Sequence, residues 1–159
     1  DTDRSRGLGD VYKRQEYNQV LGDKRGDFRV MLVHEWLPQA LPEAREQENG
    51  GEAWYLFGHC TEVTALPAAP KQWAEIFARF GAKLENVSVG CCGMAGTYGH
   101  EVKNHANSLD IYALSWQQAI QRLPRNRCLV TGYSCRSQVK RIEGSGVRHP
   151  LQALLEIIG

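Results

Sequence analysis

Apolar residues recur every three to four positions in four stretches of the chain. Two shorter stretches, 53–57 and 128–130, are apolar without interruption, and a third, 87–89, has two valines around Ser88. The first spacing is typical of a helix with one buried face. Short apolar runs bounded by glycine are typical of strands buried on both faces. Helices are therefore expected at 28–41, 70–80, 109–123 and 150–158, and strands at 53–57, 87–89 and 128–130.

These elements alternate along the chain as helix, strand, helix, strand, helix, strand, helix. Strands that are separated by helices usually pair in parallel, so we predict an α/β fold with a small parallel sheet and flanking helices. Ligands of such sheets gather beyond the carboxyl ends of the strands. The residues that follow each strand are therefore the first place to look for chemistry.

Composition narrows the class of protein. With 159 residues, 42% of them hydrophobic, the chain is long enough to bury one core. Lys and Arg (19) nearly balance Asp and Glu (18), so the sequence offers no basic field for a nucleic acid. No apolar run approaches the roughly 20 residues of a membrane-spanning helix, and no signal peptide opens the chain. These features predict a soluble, cytoplasmic-side domain.

The first fifteen residues differ from the rest of the chain. Residues 1–15 lack an initiator Met and show neither helical spacing nor alternation, and four of the fifteen are Arg or Lys. They resemble the translated sequencing-adapter stretches found at the ends of some gene fragments, and we interpret them as a foreign or disordered leader. The domain is therefore expected to span 16–159, with the native protein continuing upstream.

Four of the five cysteines follow predicted strands. An odd number of cysteines without a secretion signal argues against a disulfide framework. Cys60 follows the first strand, Cys91 and Cys92 follow the second, and Cys135 follows the third. Because parallel strands end at one edge, four thiols are expected to converge there. Cys128 lies at the start of the third strand and is left out of the site.

Thiolates are the ligands that iron–sulfur clusters and structural zinc both prefer. Glycines at positions 90, 93, 96 and 99 surround the cysteine pair. Their bare backbone N–H groups can donate hydrogen bonds to sulfur and stabilise negative charge. A helix expected to begin near His100 would add the positive end of its dipole.

Three motifs carry a family resemblance: Gly58-His59-Cys60, the segment 90–96 (GCCGMAG), and Gly132-Tyr133-Ser134-Cys135. Together they resemble the cysteine-rich CCG domain of heterodisulfide reductase and of glycolate oxidase iron–sulfur subunits. The family pattern is a cysteine, a gap, the CysCysGly element, a second gap and CysXxxXxxCys. Thirty residues lie between Cys60 and Cys91, at the short end of that pattern. The resemblance covers 28–159.

One position departs from the family pattern. Gly132 stands where the last element would begin with cysteine. In heterodisulfide reductase, five cysteines per motif support a noncubane cluster, so the resemblance implies an ordinary four-iron cluster here. Its expected ligands are Cys60, Cys91, Cys92 and Cys135.

Two longer segments carry a closer resemblance. The sequences from Gly90 to Glu101 and from Thr131 to Gln138 resemble the C-terminal end of FAD-linked oxidases of the D-2-hydroxyglutarate dehydrogenase type. The resemblance implies upstream flavin and ferredoxin-like domains in the same chain, and oxidation of a D-2-hydroxy acid of the 2-hydroxyglutarate or lactate class at FAD. Electrons would leave through iron–sulfur centres to an acceptor that the sequence does not identify. This segment alone would then be non-catalytic, and it would lie in the cytoplasm, either free or at the inner face of the membrane.

Other interpretations of the same cysteines stay open. The pocket could hold structural zinc, with His59 replacing one cysteine, or the domain could be a metal-free docking module. The cysteine pair could be a redox-active site, or the thiols could simply fill the core. We expect His59 and His100 to support a metal site rather than to ligate. We interpret Arg136, Lys140 and Arg141 as a solvated helix face.

Overall fold

The structure, a computed structural model, describes residues 16–17, 19–27, 29–41, 51 and 53–159. Three strands, β1 (Trp54–Phe57), β2 (Leu84–Asn86) and β3 (Cys128–Val130), form a parallel sheet in the spatial order β2-β1-β3. The predicted leader, 1–15, lies outside the described residues. The parallel sheet confirms the predicted fold class.

Helices pack on both faces of this sheet. None of the described helices is long and apolar enough to cross a membrane. The helices are α1 (Val33–Ala40), α2 (Cys60–Ala65), α3 (Ala69–Ala78), α4 (His105–Arg122), α5 (Tyr133–Glu143) and α6 (Pro150–Ile158).

The sheet separates two apolar clusters. On one face, Leu37 of α1, Trp73 and Phe77 of α3 and Leu154 of α6 pack with Leu56 of β1. The chain enters this layer when it leaves β1, because α2 and α3 follow that strand. The exit from β1 therefore turns towards the α1, α3 and α6 face.

The second cluster covers the opposite face. Tyr112 and Trp116 of α4 and Val139 of α5 pack with Phe57 and Val130 of the sheet. The chain enters this layer when it leaves β2 and β3. The exits from neighbouring strands thus turn to opposite faces, which opens a crevice at the carboxyl edge of the sheet, the usual ligand position in open α/β sheets.

Two predicted helix starts were wrong. The helix expected from residue 28 begins at Val33, because the Glu35 carboxylate accepts from the Leu32 N–H (3.1 Å) and caps the chain there. Pro38 lies within α1. The helix expected near His100 begins at His105, after two 3₁₀ turns.

The second strand was predicted in the wrong place. β2 is Leu84–Asn86, not 87–89, because it is an edge strand with one buried residue and lacks an apolar run. Val87 makes one more backbone bond to Leu56, after which the chain leaves the sheet. Helices α2 and α5 were absent from the predicted order, although a helix face was expected at Arg136, Lys140 and Arg141 of α5.

The N-terminus of α6 makes stability depend on pH. The His149 Nδ1 accepts from the Leu151 N–H (3.2 Å), and the Gln152 side chain accepts from the His149 N–H (2.8 Å). Burial, with the nearby Arg136 charge, lowers the pKa of His149 from 6.5 to about 4. The unfolded chain therefore binds more protons between these two values, and the free energy of unfolding falls as pH falls through this window.

We expect this loss to be at most about 3.5 kcal/mol, since one pKa unit is about 1.4 kcal/mol. A His149→Asn variant keeps an acceptor at the helix start but does not titrate. Its unfolding free energy, measured by denaturant titration at several pH values, should fall less steeply below pH 6.5 than that of the wild type. Equal slopes would contradict the assignment. Buried His59, whose pKa is also lowered, keeps its contribution in both proteins.

Candidate metal centre

Three loops bring cysteines to the carboxyl edge of the sheet. Cys60 lies three residues beyond β1, Cys135 lies five residues beyond β3, and the pair Cys91 and Cys92 lies at the end of the longer segment that follows β2. The strands are parallel, so all three loops leave from the same edge. The structure therefore brings together the four thiols that the sequence selected.

The thiols interact with one another in succession. Hydrogen bonding to Cys91 is the largest effect that raises the pKa of Cys60. Hydrogen bonding to Cys135 and then to Cys91 raises the pKa of Cys92. The order of contact is thus Cys60, Cys91, Cys92, Cys135. Cys92 and Cys135 are buried, whereas Cys91 reaches the surface.

The surroundings of Cys91 favour its ionised form. Hydrogen bonds from Cys60 and Cys92 lower its pKa to about 2, although burial opposes them. The backbone N–H of Gly93 also donates to the Cys91 Sγ (3.4 Å). The negative charge of one sulfur is therefore stabilised by two thiols and a backbone amide. A metal would take the place of the remaining thiol protons, since ligating thiols are deprotonated.

The loop that carries the pair is tied to α4. The Trp116 Nε1 donates to the Gly90 carbonyl (2.9 Å), and the Gly90 N–H donates to the Ser115 Oγ (3.0 Å). Gly93 has a φ of +83°, a conformation that favours glycine. These contacts fix the chain on both sides of Cys91 and Cys92.

His59 is buried beside the thiols in a supporting position. It caps α2, where its Nδ1 accepts from the Thr61 N–H (3.3 Å). Its own N–H donates to the Thr131 Oγ1 (2.9 Å), and that hydroxyl donates to the Glu62 carboxylate. Burial lowers the pKa of His59 despite the opposing charges of Glu62 and Cys91. A neutral His59 therefore links the β1 and β3 loops.

Gly132, which stands where the family pattern has a fifth cysteine, packs against His59. A Cβ placed on Gly132 would lie 2.4 Å from the His59 Cδ2 and 3.1 Å from the Cys135 Sγ. The imidazole ring thus packs against the bare backbone of Gly132. A cysteine at this position would require the ring to move, so Gly132 and His59 fit one another.

Cys128 lies outside the site, as the sequence predicted. It pairs with Tyr55 at the start of β3, and its Sγ donates to the Pro124 carbonyl (3.4 Å). Burial raises its pKa to about 11. His100 is exposed at the end of a 3₁₀ turn, and no described contact joins it to the thiols.

Sequence reasoning missed three supporting residues. Glu62 and Thr131 join the loops that follow β1 and β3, and His34 of α1 lies 3.7 Å from the Glu62 carboxylate. Arg136 was predicted to be solvated, but its Nη1 donates to the carbonyls of Val130 and Thr131 (2.9 Å each). The position of Thr131 between β3 and the last motif was a usable signal.

A crevice of about 370 Å³ opens beside Cys60 and Cys91. It separates the exits of β1 and β2, and its lining contains no Lys, Arg, Asp or Glu. Val63 and Val89 contribute apolar surface to it. Within the described part of the chain, no three His, Cys, Asp or Glu side chains enclose a point that could hold a metal ion. The four thiols interact in a row, and their side chains would have to move to surround a metal ion.

The fold and the thiol group define a small three-stranded α/β module with a cysteine cluster at the carboxyl edge of its sheet. Over 145 residues, 91% of its length, the chain is 74% identical to D-2-hydroxyglutarate dehydrogenase of Escherichia coli (strain K12). It is 51% identical over 153 residues to the enzyme of that name from Haemophilus influenzae and 46% identical over 143 residues to that from Pseudomonas putida.

The chain spans only 14% to 15% of the length of these relatives, and it matches their C-terminal part. No family model matches the chain, and no solved structure matches it. The comparisons thus support a resemblance to the end of a dehydrogenase and leave the chemistry of the thiols to be argued from their geometry.

Proposed function

We propose that this chain is the iron–sulfur-binding C-terminal module of an FAD-linked dehydrogenase that oxidises a D-2-hydroxy acid, and that it holds a four-iron cluster. One observation carries the proposal: thiols from the ends of three parallel strands interact in one continuous group. A core that needed only small apolar residues would gain nothing from an exposed cysteine at its surface.

The residues present fit such a cluster. Four thiols match the number of cysteines that a four-iron cluster takes. The Gly93 N–H already donates to the Cys91 sulfur, as expected near a negatively charged cluster. The Ser134 hydroxyl, next to Cys135, is buried without a hydrogen-bond partner among the described residues. A buried hydroxyl without a partner is costly, and a cluster beside it would supply an acceptor.

The chemistry of the bound cluster would be one-electron transfer. The chain itself contributes binding and orientation. Cys60, Cys91, Cys92 and Cys135 would supply the four thiolates, and His59 and Arg136 hold the loops from β1 and β3 in place. Cys92 and Cys135 are buried, so water is kept from that part of the site.

The proposed partner is the rest of the same polypeptide. The module spans about one seventh of the relatives' length, and the remainder would carry FAD and a ferredoxin-like segment. Cys91 is exposed, and the crevice beside it, which no Lys, Arg, Asp or Glu lines, opens at the same edge. Electrons would enter or leave at this side. The acceptor is not identified by the structure, and a cytoplasmic location is part of the proposal.

Metal analysis tests the proposal. The full-length polypeptide in which this chain occurs is purified and reconstituted without oxygen, beside a Cys60→Ser, Cys135→Ser variant. We expect the variant to hold about four fewer irons and sulfides per chain. A difference of one zinc with no iron would overturn the cluster and favour structural zinc. Equal metal contents would overturn both and favour a metal-free docking module.

A further inference from the structure

Helix α5 carries Cys135 near its start. Through Arg141 it also forms a hydrogen bond to the glycine-rich loop that carries Cys91 and Cys92. We propose that Arg141 and Gln138 of this helix are positioning residues for the cysteine pair, and that they act through Ser108 of α4. The proposal rests on the proposed function in treating these thiols as metal ligands.

Ser108 is the point at which the loop, α4 and α5 meet. It is fully buried. A Cβ placed on Gly93 would lie 2.2 Å from the Ser108 carbonyl oxygen, and one placed on Gly99 would lie 2.5 Å from the Ser108 Oγ. Both ends of the glycine-rich loop therefore rest directly on this serine, so a movement of Ser108 moves the loop.

Two side chains of α5 hold Ser108. The Gln138 Nε2 donates to the Ser108 Oγ (2.9 Å) and to its backbone carbonyl (3.3 Å). The Arg141 Nη2 donates to the same Oγ (3.1 Å), and its Nη1 donates to the Gly99 carbonyl. The planar guanidinium thus joins α4 and the loop at once, which a lysine ammonium cannot do with the same geometry.

Arg141 was predicted from the sequence to be a solvated residue, and the structure contradicts this. Its Nε is buried without a hydrogen-bond partner, and the Oε1 of fully buried Gln138 is also without one, among the described residues. No described carboxylate forms an ion pair with Arg141 either. Buried polar groups that are only partly satisfied are costly and are often retained at functional sites. The arrangement ties the spacing of Cys92 and Cys135 to these two side chains.

The test uses the full-length polypeptide with Ser108→Ala, Arg141→Ala and Arg141→Lys variants. The first readout is independent of metal: the alkylation rates of Cys92 and Cys135 in metal-free protein, followed by mass spectrometry. Both thiols are at most 2% exposed in the wild type, so we expect slow alkylation there and at least about tenfold faster alkylation in both alanine variants.

The second readout is retention of iron against a chelator. Loss of an outer group that orients ligands typically weakens metal binding by about 10- to 100-fold, and we expect this loss for both alanine variants. The Arg141→Lys variant should recover part of it. The double variant Ser108→Ala, Arg141→Ala should be no worse than the more impaired single variant, because the residues act as one unit.

Arg148→Ala is the matched control. Like Arg141, Arg148 donates to a backbone carbonyl, that of Asn126 (2.9 Å), but it does so near the start of β3, and unlike Arg141 it pairs with a carboxylate, that of Glu156. The proposal would be overturned if the Ser108→Ala and Arg141→Ala variants had the same alkylation rates and the same iron retention as Arg148→Ala. A third outcome separates this proposal from the proposed function. If the wild type binds no iron but alkylation is still faster in the alanine variants, the positioning role stands and the cluster assignment fails.

Discussion

A Cys91→Ser, Cys92→Ser variant of the full-length polypeptide is expected to lose turnover with an artificial electron acceptor by more than about 100-fold. Loss of an outer group alone costs about 10- to 100-fold in metal affinity or activity, and this change removes two direct ligands. Reduction of the proposed flavin by the D-2-hydroxy acid should persist, because the change lies outside the flavin part. Stopped-flow absorbance of the flavin and steady-state turnover measure the two steps separately.

Cys128→Ser is the control for this experiment. Cys128 is buried and donates to the Pro124 carbonyl, a contact that serine can keep, and it does not interact with the other thiols. It should turn over like the wild type. Full turnover in the Cys91, Cys92 variant would contradict an electron-transfer role and favour a module that only docks.

Gly93→Ala is expected to produce a large loss of stability. Gly93 has a φ of +83°, and an added Cβ would lie 2.2 Å from the Ser108 carbonyl oxygen. An alanine in a left-handed conformation costs about 1–2 kcal/mol, and overpacking of a buried site typically costs a further 1–3 kcal/mol, about 2–5 kcal/mol in all. The free energy of unfolding, measured by denaturant titration, should fall by this amount.

Gly144→Ala separates the two causes. Gly144 ends α5 with a φ of +72°, and an added Cβ would meet no atom within 4 Å. This variant should therefore lose only the backbone contribution of about 1–2 kcal/mol. A Gly93→Ala variant that is no less stable than Gly144→Ala would show that the loop does not pack against Ser108 as described.

The sequence alone was sufficient for the fold class and for the choice of thiols. Strand β1, strand β3 and helix α6 lie where apolar runs and helical spacing predicted them. The exclusion of Cys128 followed from its place at the start of a strand, and the structure confirms it. The metal itself stays a prediction.

The errors in the position of β2 and in the burial of Arg141 have different physical origins. Apolar spacing reports how deeply one side of a segment is buried, and it fails where a segment is only partly buried. β2 was misplaced because an edge strand with one buried residue has no apolar run, while Val87 and Val89 beyond it are half-buried against the second cluster. Arg141 was misjudged because a charged residue on a helix is usually solvated.

What the sequence by itself determined is therefore which thiols lie together: parallel strands must end at one edge, and four cysteines follow those ends. What only the tertiary structure decided is how that set is held. The packing of His59 on Gly132 and the grip of Arg141 on Ser108 join segments 73 and 33 residues apart. Such contacts depend on the distance between packed elements, which local residue patterns do not encode.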